Sequence, residues 1–116
     1  MNKVIILGNL GKDPEAKYTS SGSCITNLTV ATNRKYKDAS GQLQDETQWH
    51  RVVVFGKQAE SCAEYLAKGR QVLVEGRIKY DKYEDKEGVT KYTTEIIAQG
   101  VQFIGGRNDS DDNVNF

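Results

Sequence analysis

Residues 46 to 55 read Glu-Thr-Gln-Trp-His-Arg-Val-Val-Val-Phe, and this stretch gives the clearest strand signal in the chain. Successive side chains of a β-strand point to opposite faces. One predicted face combines aromatic, cationic and aliphatic side chains: Trp49, Arg51, Val53 and Phe55. The other carries two valines and a histidine: His50, Val52 and Val54. The face with His50 and the two valines suits a protein interior or a subunit contact. The face with Trp49 and Arg51 suits a surface that binds a flat, charged ligand.

Further strand candidates lie on both sides of this stretch, where β-branched or alternating residues recur between turn signals. With residues 46 to 55 they make five strands, the others being 3 to 10, 24 to 36, 70 to 81 and 91 to 104. Turn-forming residues fill the gaps at Ser20-Ser21-Gly22, Ala39-Ser40-Gly41 and Glu87-Gly88. Many short strands with glycine-rich punctuation indicate a small antiparallel barrel or sandwich.

A single helical pattern follows the third strand candidate. Apolar residues recur there at helical spacing, at Ala59, Cys62, Ala63 and Leu66. Lys68 is predicted in the last turn and Gly69 at the position just after the helix. Five strands with a helix after the third is the order of an OB-fold, so the sequence predicts an all-β domain with one short helix, folded as a five-stranded Greek-key barrel.

The length and charge of the chain limit its organisation. The 116 residues support one hydrophobic core, and 16 basic residues balance 16 acidic ones. From Gly105 onward the chain has one arginine against three aspartates, so this part carries −2 and the rest +2. We therefore predict a domain over residues 1 to 104 and a flexible acidic tail over 105 to 116.

Several functional classes find little support in the sequence. Cys24, Cys62 and His50 are far apart in the chain, which argues against a zinc site and a disulfide framework. The chain has neither a phosphate-binding glycine loop nor a nucleophile and base in a recognisable motif, so we predict no enzyme activity and no cofactor. The apolar run near the N-terminus is too short for a signal sequence or a membrane span. We expect a cytoplasmic protein with reduced thiols.

The face with Trp49, Arg51 and Phe55 has the chemistry that single-stranded nucleic acid requires. Bases stack on aromatic rings, and phosphates are neutralised by cations. The alternative is that the two aromatics belong to the core while the arginine reaches past them to water. Two more groups of residues favour the binding interpretation.

The first group lies on the predicted strand 70 to 81, where Arg77 and Lys79 share a face that continues to Tyr83. The second is the basic cluster Arg34-Lys35-Tyr36-Lys37 after the second strand candidate. Each could also be an ordinary solvated charged surface, and Glu75 and Asp81 on the Arg77 face support that alternative. Their coincidence within one predicted barrel favours a groove that follows a nucleic-acid backbone.

Over residues 1 to 104 the chain closely resembles the bacterial single-stranded DNA-binding proteins. The resemblance rests on stretches that match in order along the domain: Asn2-Lys3-Val4-Ile5-Ile6-Leu7-Gly8-Asn9-Leu10-Gly11, Asp13-Pro14-Glu15, Leu28-Thr29-Val30-Ala31-Thr32, Thr47-Gln48-Trp49-His50-Arg51-Val52-Val53-Val54-Phe55-Gly56-Lys57, Tyr65-Leu66-Ala67-Lys68-Gly69, Val74-Glu75-Gly76 and Lys91-Tyr92-Thr93-Thr94-Glu95. It implies an OB-fold, a homotetramer, and sequence-independent binding of single-stranded DNA in replication, recombination and repair. It also implies a location in the cytoplasm, associated with the nucleoid.

The resemblance assigns roles to individual positions. Base stacking falls to four aromatic residues, Trp49, Phe55, Tyr36 and Tyr83, the last two standing where well-known members have tryptophan. Basic residues expected on the DNA are Arg34, Lys35, Arg51, Lys57, Arg77 and Lys79. Asp81 stands where a basic residue is common. His50 matches a subunit-interface position, although a core histidine fits the alternation equally well.

The acidic end of the chain resembles the tip through which family members dock on replication and repair proteins. Asp111, Asp112 and the final Phe116 match that pattern, and Asn115 replaces its proline. An inert disordered end is the alternative. For the whole protein, the competing hypothesis is an OB-fold module that binds RNA or protein with the same face.

Overall fold

The structure is a computed structural model that describes residues 1–105, which form six strands and one helix. Their order is β1 (Val4–Leu10), β2 (Glu15–Tyr18), β3 (Cys24–Lys37), β4 (Leu43–Phe55), α1 (Gly56–Tyr65), β5 (Gln71–Glu84) and β6 (Thr90–Ile104). All five predicted strands are present. The paired strands β3–β4 and β5–β6 extend further toward their hairpin turns than the sequence pattern indicated.

Five strands close into a barrel. β1 pairs with β5, β5 with β6, β6 with β4 and β4 with β3, and the circle closes where Asn9 and Leu10 of β1 meet Ala31 and Val30 of β3. The predicted five-stranded barrel is confirmed. Its pairings are antiparallel except that of β4 with β6, which is parallel at Val52 and Val53. The antiparallel arrangement that the strand pattern indicated therefore holds in every pairing but this one.

The sequence pattern missed β2, which pairs with β3 from Glu15 opposite Asn27 to Tyr18 opposite Cys24. All four of its side chains are exposed. A strand recognised by alternating apolar and polar residues needs one buried face, and β2 has none. It adds a short strand to the outside of the barrel wall.

The barrel interior is filled by the inward-facing side chains of the long strands and closed at one end by α1. The fully buried large side chains are Leu28, Val30, Val52, Val54, Val72, Val74, Thr26, Cys24 and Cys62. Thr26 is the polar exception, and its Oγ1 donates a 2.7 Å hydrogen bond to the Ala59 carbonyl of α1. Burial raises the pKa of the Cys62 thiol to about 12.

The end of α1 corrects one expectation. The helix ends at Tyr65, and Leu66 is already extended with its side chain buried, so Lys68 and Gly69 lie beyond the helix. The chain leaves the helix early because its next residues bind the end of β1 and the loop after it. The Lys68 N–H donates to Asp13 Oδ1 at 2.8 Å, and the Gly69 N–H donates to the Leu10 carbonyl at 2.9 Å.

Beyond the barrel, two ribbons of paired strands project outward. We call residues 33–47 of β3–β4 the first arm and residues 79–93 of β5–β6 the second arm. The turns that close them contain Gly41 and Gly88, both at positive φ, as the turn signals predicted. In the first arm the Asp38 carboxylate accepts hydrogen bonds from the backbone N–H groups of Gln42 and Ser40, which lowers its pKa.

The remaining sequence predictions concern features outside this architecture. Within residues 1–105, no helix is long and apolar enough to cross a membrane. The same residues contain no cluster of three histidine, cysteine, aspartate or glutamate side chains able to hold a metal ion. The tail residues Asp109, Asp111, Asp112 and Phe116 lie outside the described part of the chain, so the docking tip stays a prediction.

Candidate nucleic-acid interface

The outer face of β4 carries two large aromatic side chains. Trp49 is 62% exposed and Phe55 is 51% exposed, while Val52 and Val54 on the opposite side of the strand are buried. The predicted alternation therefore holds for the aromatics and for these two valines, but Val53, predicted on the outer face, is buried as well at 8% exposure. Neither aromatic belongs to the core, although residues of this size are normally buried when nothing binds them.

Arg51 stands between the two aromatics and contacts the neighbouring strand. Its Nη1 lies 3.8 Å from Glu95 Oε2 on β6, which runs beside β4 in the parallel pairing. Sequence reasoning did not single out Glu95, because one glutamate in a strand pattern is an ordinary solvated residue. Its position beside the arginine follows only from the barrel closure.

The same face continues onto β5. In the antiparallel register Lys79 lies opposite Glu95, and Tyr83 lies opposite Lys91. The register shift at Glu75 and Gly76 places the extra residue on β6 and not on β5. Side chains along β5 therefore keep their alternation from Arg77 to Tyr83. Arg77, Lys79 and Tyr83 therefore join Arg51 and Glu95 on one side of the sheet, as the sequence pattern predicted. Asp81 is on this side as well, with its Oδ2 3.3 Å from Lys79 Nζ.

A groove of about 500 Å³ extends this face toward β2. Its lining combines the Arg51–Glu95 pair and Phe55 with Lys12 before β2 and Lys17 within it. Both lysines are exposed, and neither was among the sequence-predicted residues. No sequence signal identified them, because the strand that brings Lys17 to the groove was itself missed.

The first arm divides its candidate residues between two faces. Tyr36 pairs with Gln44 and Arg34 with Glu46, positions that alternate with the Ala31–Trp49 pair and so face the opposite side of the ribbon. The Arg34 guanidinium lies 4.6 Å from the centre of the Tyr36 ring, and its Nε donates a 3.1 Å hydrogen bond to Glu46 Oε1.

Lys35 differs from its two neighbours. It shares the side of Trp49, with its Nζ 4.0 Å from Asp45 Oδ1. The structure therefore separates Arg34 and Tyr36 from the outer face of β4 and leaves Lys35 on it.

Two further candidates lie at the margins of this face. Lys57 is exposed in the first turn of α1, two residues after Phe55. His50 lies on the inner side of β4 and is half-buried, and its Nε2 is hydrogen-bonded to Thr32 Oγ1 at 2.9 Å. This bond gives the histidine a partner within its own chain, as the core interpretation required.

Comparison with protein families gives a match over almost the whole chain. Residues 1–104 match the model of the single-strand binding protein family. The chain is 52% identical over 109 residues to a single-stranded DNA-binding protein of Xanthomonas campestris, covering 94% of this chain and 63% of that protein. It is 50% identical over 109 residues to the Xylella fastidiosa protein of the same name, covering 94% and 66%. The chain thus spans less than two thirds of the length of these relatives.

Solved structures show the same architecture. A chain of a Plasmodium falciparum SSB complex with single-stranded DNA superposes with a TM-score of 0.85 at 30% identity, covering 90% of this chain and 96% of that one. A deletion mutant of the single-stranded DNA-binding protein from Thermus aquaticus gives a TM-score of 0.81 at 33% identity, covering 92% and 52%. Since the barrel of this chain has the strand order and closure of an OB-fold, these matches confirm the predicted fold.

Proposed function

This chain belongs to the single-strand binding protein family, and on that premise we propose that it binds single-stranded DNA without regard to sequence. The bases stack on aromatic side chains while lysine and arginine side chains contact the phosphates. Its role is to cover and protect single strands in replication, recombination and repair. It acts in the cytoplasm, associated with the nucleoid.

One observation carries the proposal: two large aromatics, Trp49 and Phe55, stand exposed on either side of Arg51. Exposing large aromatic rings to water is unfavourable unless a ligand covers them. Every base offers a π-face, so stacking tolerates any sequence. A sequence-specific binder would instead present hydrogen-bonding side chains arranged to match base edges.

The distribution of charge supports a particular orientation of the strand. Arg51 is paired with Glu95 in the middle of the face, so this part carries no net charge. Cations stand at the margins: within residues 1–105, Lys17 by the groove and Arg77 on β5 have no carboxylate within 4 Å, while Lys12 by the groove lies 3.8 Å from Glu15. We propose that the bases lie over the aromatic centre and that the phosphates follow the basic margins, because a phosphate beside Glu95 would be repelled.

The remaining candidate residues take their places along this path. Lys79 and Tyr83 extend it onto the second arm, and Lys57 extends it past Phe55. A strand that reaches Tyr36 and Arg34 has to cross the edge or the tip of the first arm, where Lys35 is the basic residue on the near side. We propose that a wrapped strand reaches these residues after it has bound the aromatic centre and that their contacts are weaker.

The binding experiment uses labelled oligonucleotides. At moderate salt, fluorescence anisotropy should show tight binding of oligo-dT and much weaker binding of duplex DNA of the same length, because a duplex hides its base faces. Trp49→Ala should weaken binding of oligo-dT. Equal affinity for duplex and single strand would contradict the proposal. Preference for oligo-U over oligo-dT would favour the RNA-binding alternative.

We also propose that the chain assembles as a homotetramer, so that one strand passes over several binding faces. An apolar patch on the barrel exterior supports an interface between copies. On β1, Ile5 is 60% exposed and Leu7 is 53% exposed, and Leu7 pairs with Leu73 of β5. His50 takes part in this assembly if a partner subunit covers its half-buried ring.

The assembly is tested by sedimentation. At micromolar concentration the chain should sediment with the mass of four subunits, and both Leu7→Glu and His50→Lys should lower that mass by placing a charge in a dry contact. A monomeric wild-type chain would contradict the tetramer. A tetramer that tolerates His50→Lys would return His50 to the core interpretation.

Docking of replication and repair proteins through Asp111, Asp112 and Phe116 is a further proposal, supported by the acidic and aromatic composition of that segment. Removing the Phe116 side chain with Phe116→Ala should weaken capture of such proteins and leave DNA affinity unchanged, because an apolar anchor contributes nothing to phosphate binding. Equal capture of these proteins by the wild-type chain and by Phe116→Ala would contradict the docking proposal.

A further inference from the structure

Gly11, in the loop after β1, lies directly against the Trp49 ring. A Cβ atom built on Gly11 would overlap Cζ3 of the indole and lie 3.2 Å from Cη2 and 3.3 Å from Cε3. Carbon atoms in contact prefer about 3.5 to 4.0 Å, so any side chain at position 11 has to displace the ring. The glycine backbone therefore forms the surface on which one edge of the indole rests.

The loop cannot easily move away from the ring. The Gly11 N–H donates a 2.8 Å hydrogen bond to the Thr29 carbonyl of β3. Three residues earlier, Gly8 is packed so closely on β3 that a Cβ there would meet the Ala31 carbonyl oxygen. Ala31 is the register partner of Trp49, so both glycines hold the end of β1 against this one strand pair.

The backbone conformation of Gly11 does not itself demand a glycine. Among the glycines of residues 1–105, those with positive φ are Gly22, Gly41, Gly56, Gly69, Gly88 and Gly105, and Gly11 is not among them. An alanine could adopt the same backbone angles. The requirement for glycine at this position comes from the indole and not from the turn.

We propose that Gly11 is a positioning residue for base stacking: it contacts one edge of the Trp49 ring and so fixes the orientation in which the ring presents its face to a base. The inference rests on the proposed function, in which Trp49 stacks on single-stranded DNA. A ring that is already held in its binding orientation loses little freedom when a base stacks on it, and that preorganisation increases affinity.

The first test needs no DNA. Trp49 is the single tryptophan of the chain, so its emission reports the environment of this ring alone. Gly11→Ala should shift the emission maximum and raise quenching by acrylamide in the free protein. Gly100→Ala is the matched control, because a Cβ at Gly100 meets nothing within 4 Å and its φ is not in the left-handed region. Emission unchanged in both variants would overturn the proposed contact.

The second test measures affinity for oligo-dT in a double-mutant cycle with Trp49→Phe. Phenylalanine still stacks on bases but is shorter than the indole whose outer atoms meet Gly11. Gly11→Ala should weaken binding roughly 5-fold or more beside Trp49, the lower end of a stacking contribution, and less than about 2-fold beside phenylalanine. Equal losses in both backgrounds would overturn the positioning role.

The two tests separate this inference from the proposed function. If the wild-type chain does not bind oligo-dT, the proposed function fails while the emission shift still tests the contact. If Gly11→Ala does not fold by circular dichroism, the variant that also carries Trp49→Phe should fold, since it restores the space. Failure to fold in both backgrounds would show that the loop itself requires glycine and would overturn the proposal.

Discussion

The aromatic candidates fall into two regions that differ in how firmly the fold holds them. Trp49 and Phe55 stand at the base, on a barrel strand paired with neighbours on both sides, and Trp49 rests on the Gly11 backbone. Tyr36 and Tyr83 stand on the two arms, where ribbons of two strands project beyond the barrel. Between these two aromatics β4 is paired on both sides, at Val52 and Val53, whereas each arm depends on one ladder of hydrogen bonds, so we expect the base to be the more rigid region.

This difference determines where binding energy should come from. A side chain already ordered in the free protein has little rotamer freedom left to lose when a base stacks on it. Arm residues must be ordered by the ligand, and tyrosine offers less stacking area than tryptophan. We therefore expect the base to supply most of the affinity and the arms to extend the path of the strand.

The largest effect should follow from removing an aromatic at the base. Stacking contributes roughly 1 to 3 kcal/mol per base, so Trp49→Ala or Phe55→Ala should weaken oligo-dT binding by about 5-fold to 150-fold. Equilibrium titration by anisotropy measures the loss, and circular dichroism shows whether the barrel is intact. Tyr65→Ala is the control, because Tyr65 is an equally exposed aromatic at the end of α1. Losses no larger than that of the control would contradict the stacking role.

Removing an arm aromatic should cost less. We expect Tyr83→Ala to weaken oligo-dT binding by about 5-fold, near the lower limit for one stacked base, and Tyr36→Ala to have a smaller effect. The order follows from register, since Tyr83 shares the side of Lys79 and Tyr36 faces away from Trp49. The same titration measures both variants. If an arm variant bound oligo-dT more weakly than Trp49→Ala does, the comparison between base and arms would be reversed.

The smallest effects should come from the basic margins and should appear in salt dependence. Arg77→Ala and Lys79→Ala should each make the slope of log affinity against log salt shallower by about 0.7, the value for one phosphate contact on a single strand. Lys68→Ala, an exposed lysine after α1, should leave the slope unchanged. A slope unchanged by both Arg77→Ala and Lys79→Ala would mean that the β5 cations do not contact phosphates.

Much of this architecture could be predicted because alternation reports burial. β3 and β5 bury every second side chain along the barrel, so alternating apolar residues marked them. On β4 the same pattern correctly put Trp49 outside and Val52 inside. β2 has no buried face and left no pattern. The end of α1 was misplaced because Lys68 and Gly69 match a helix terminus locally, while hydrogen bonds to Asp13 and Leu10 draw this segment away.

The candidate site was predictable in its residue types more than in its arrangement. The alternation of side chains along β5 correctly placed Arg77, Lys79 and Tyr83 on one side of the sheet. It could not reveal that Glu95 pairs with Arg51, because that contact crosses strands far apart in the sequence. It also could not reveal that Gly11 supports Trp49, since a close approach of backbone to a ring leaves no signal in composition or spacing.

The central claim is that a base stacks on the rigidly held Trp49 ring. Titrating the chain with oligo-dT while following the emission of this single tryptophan tests it most directly. We predict strong quenching that saturates with bound DNA, that is reversed by high salt, and that does not occur with duplex DNA of equal length. Oligo-dT that binds by anisotropy while Trp49 emission stays unchanged would contradict the account.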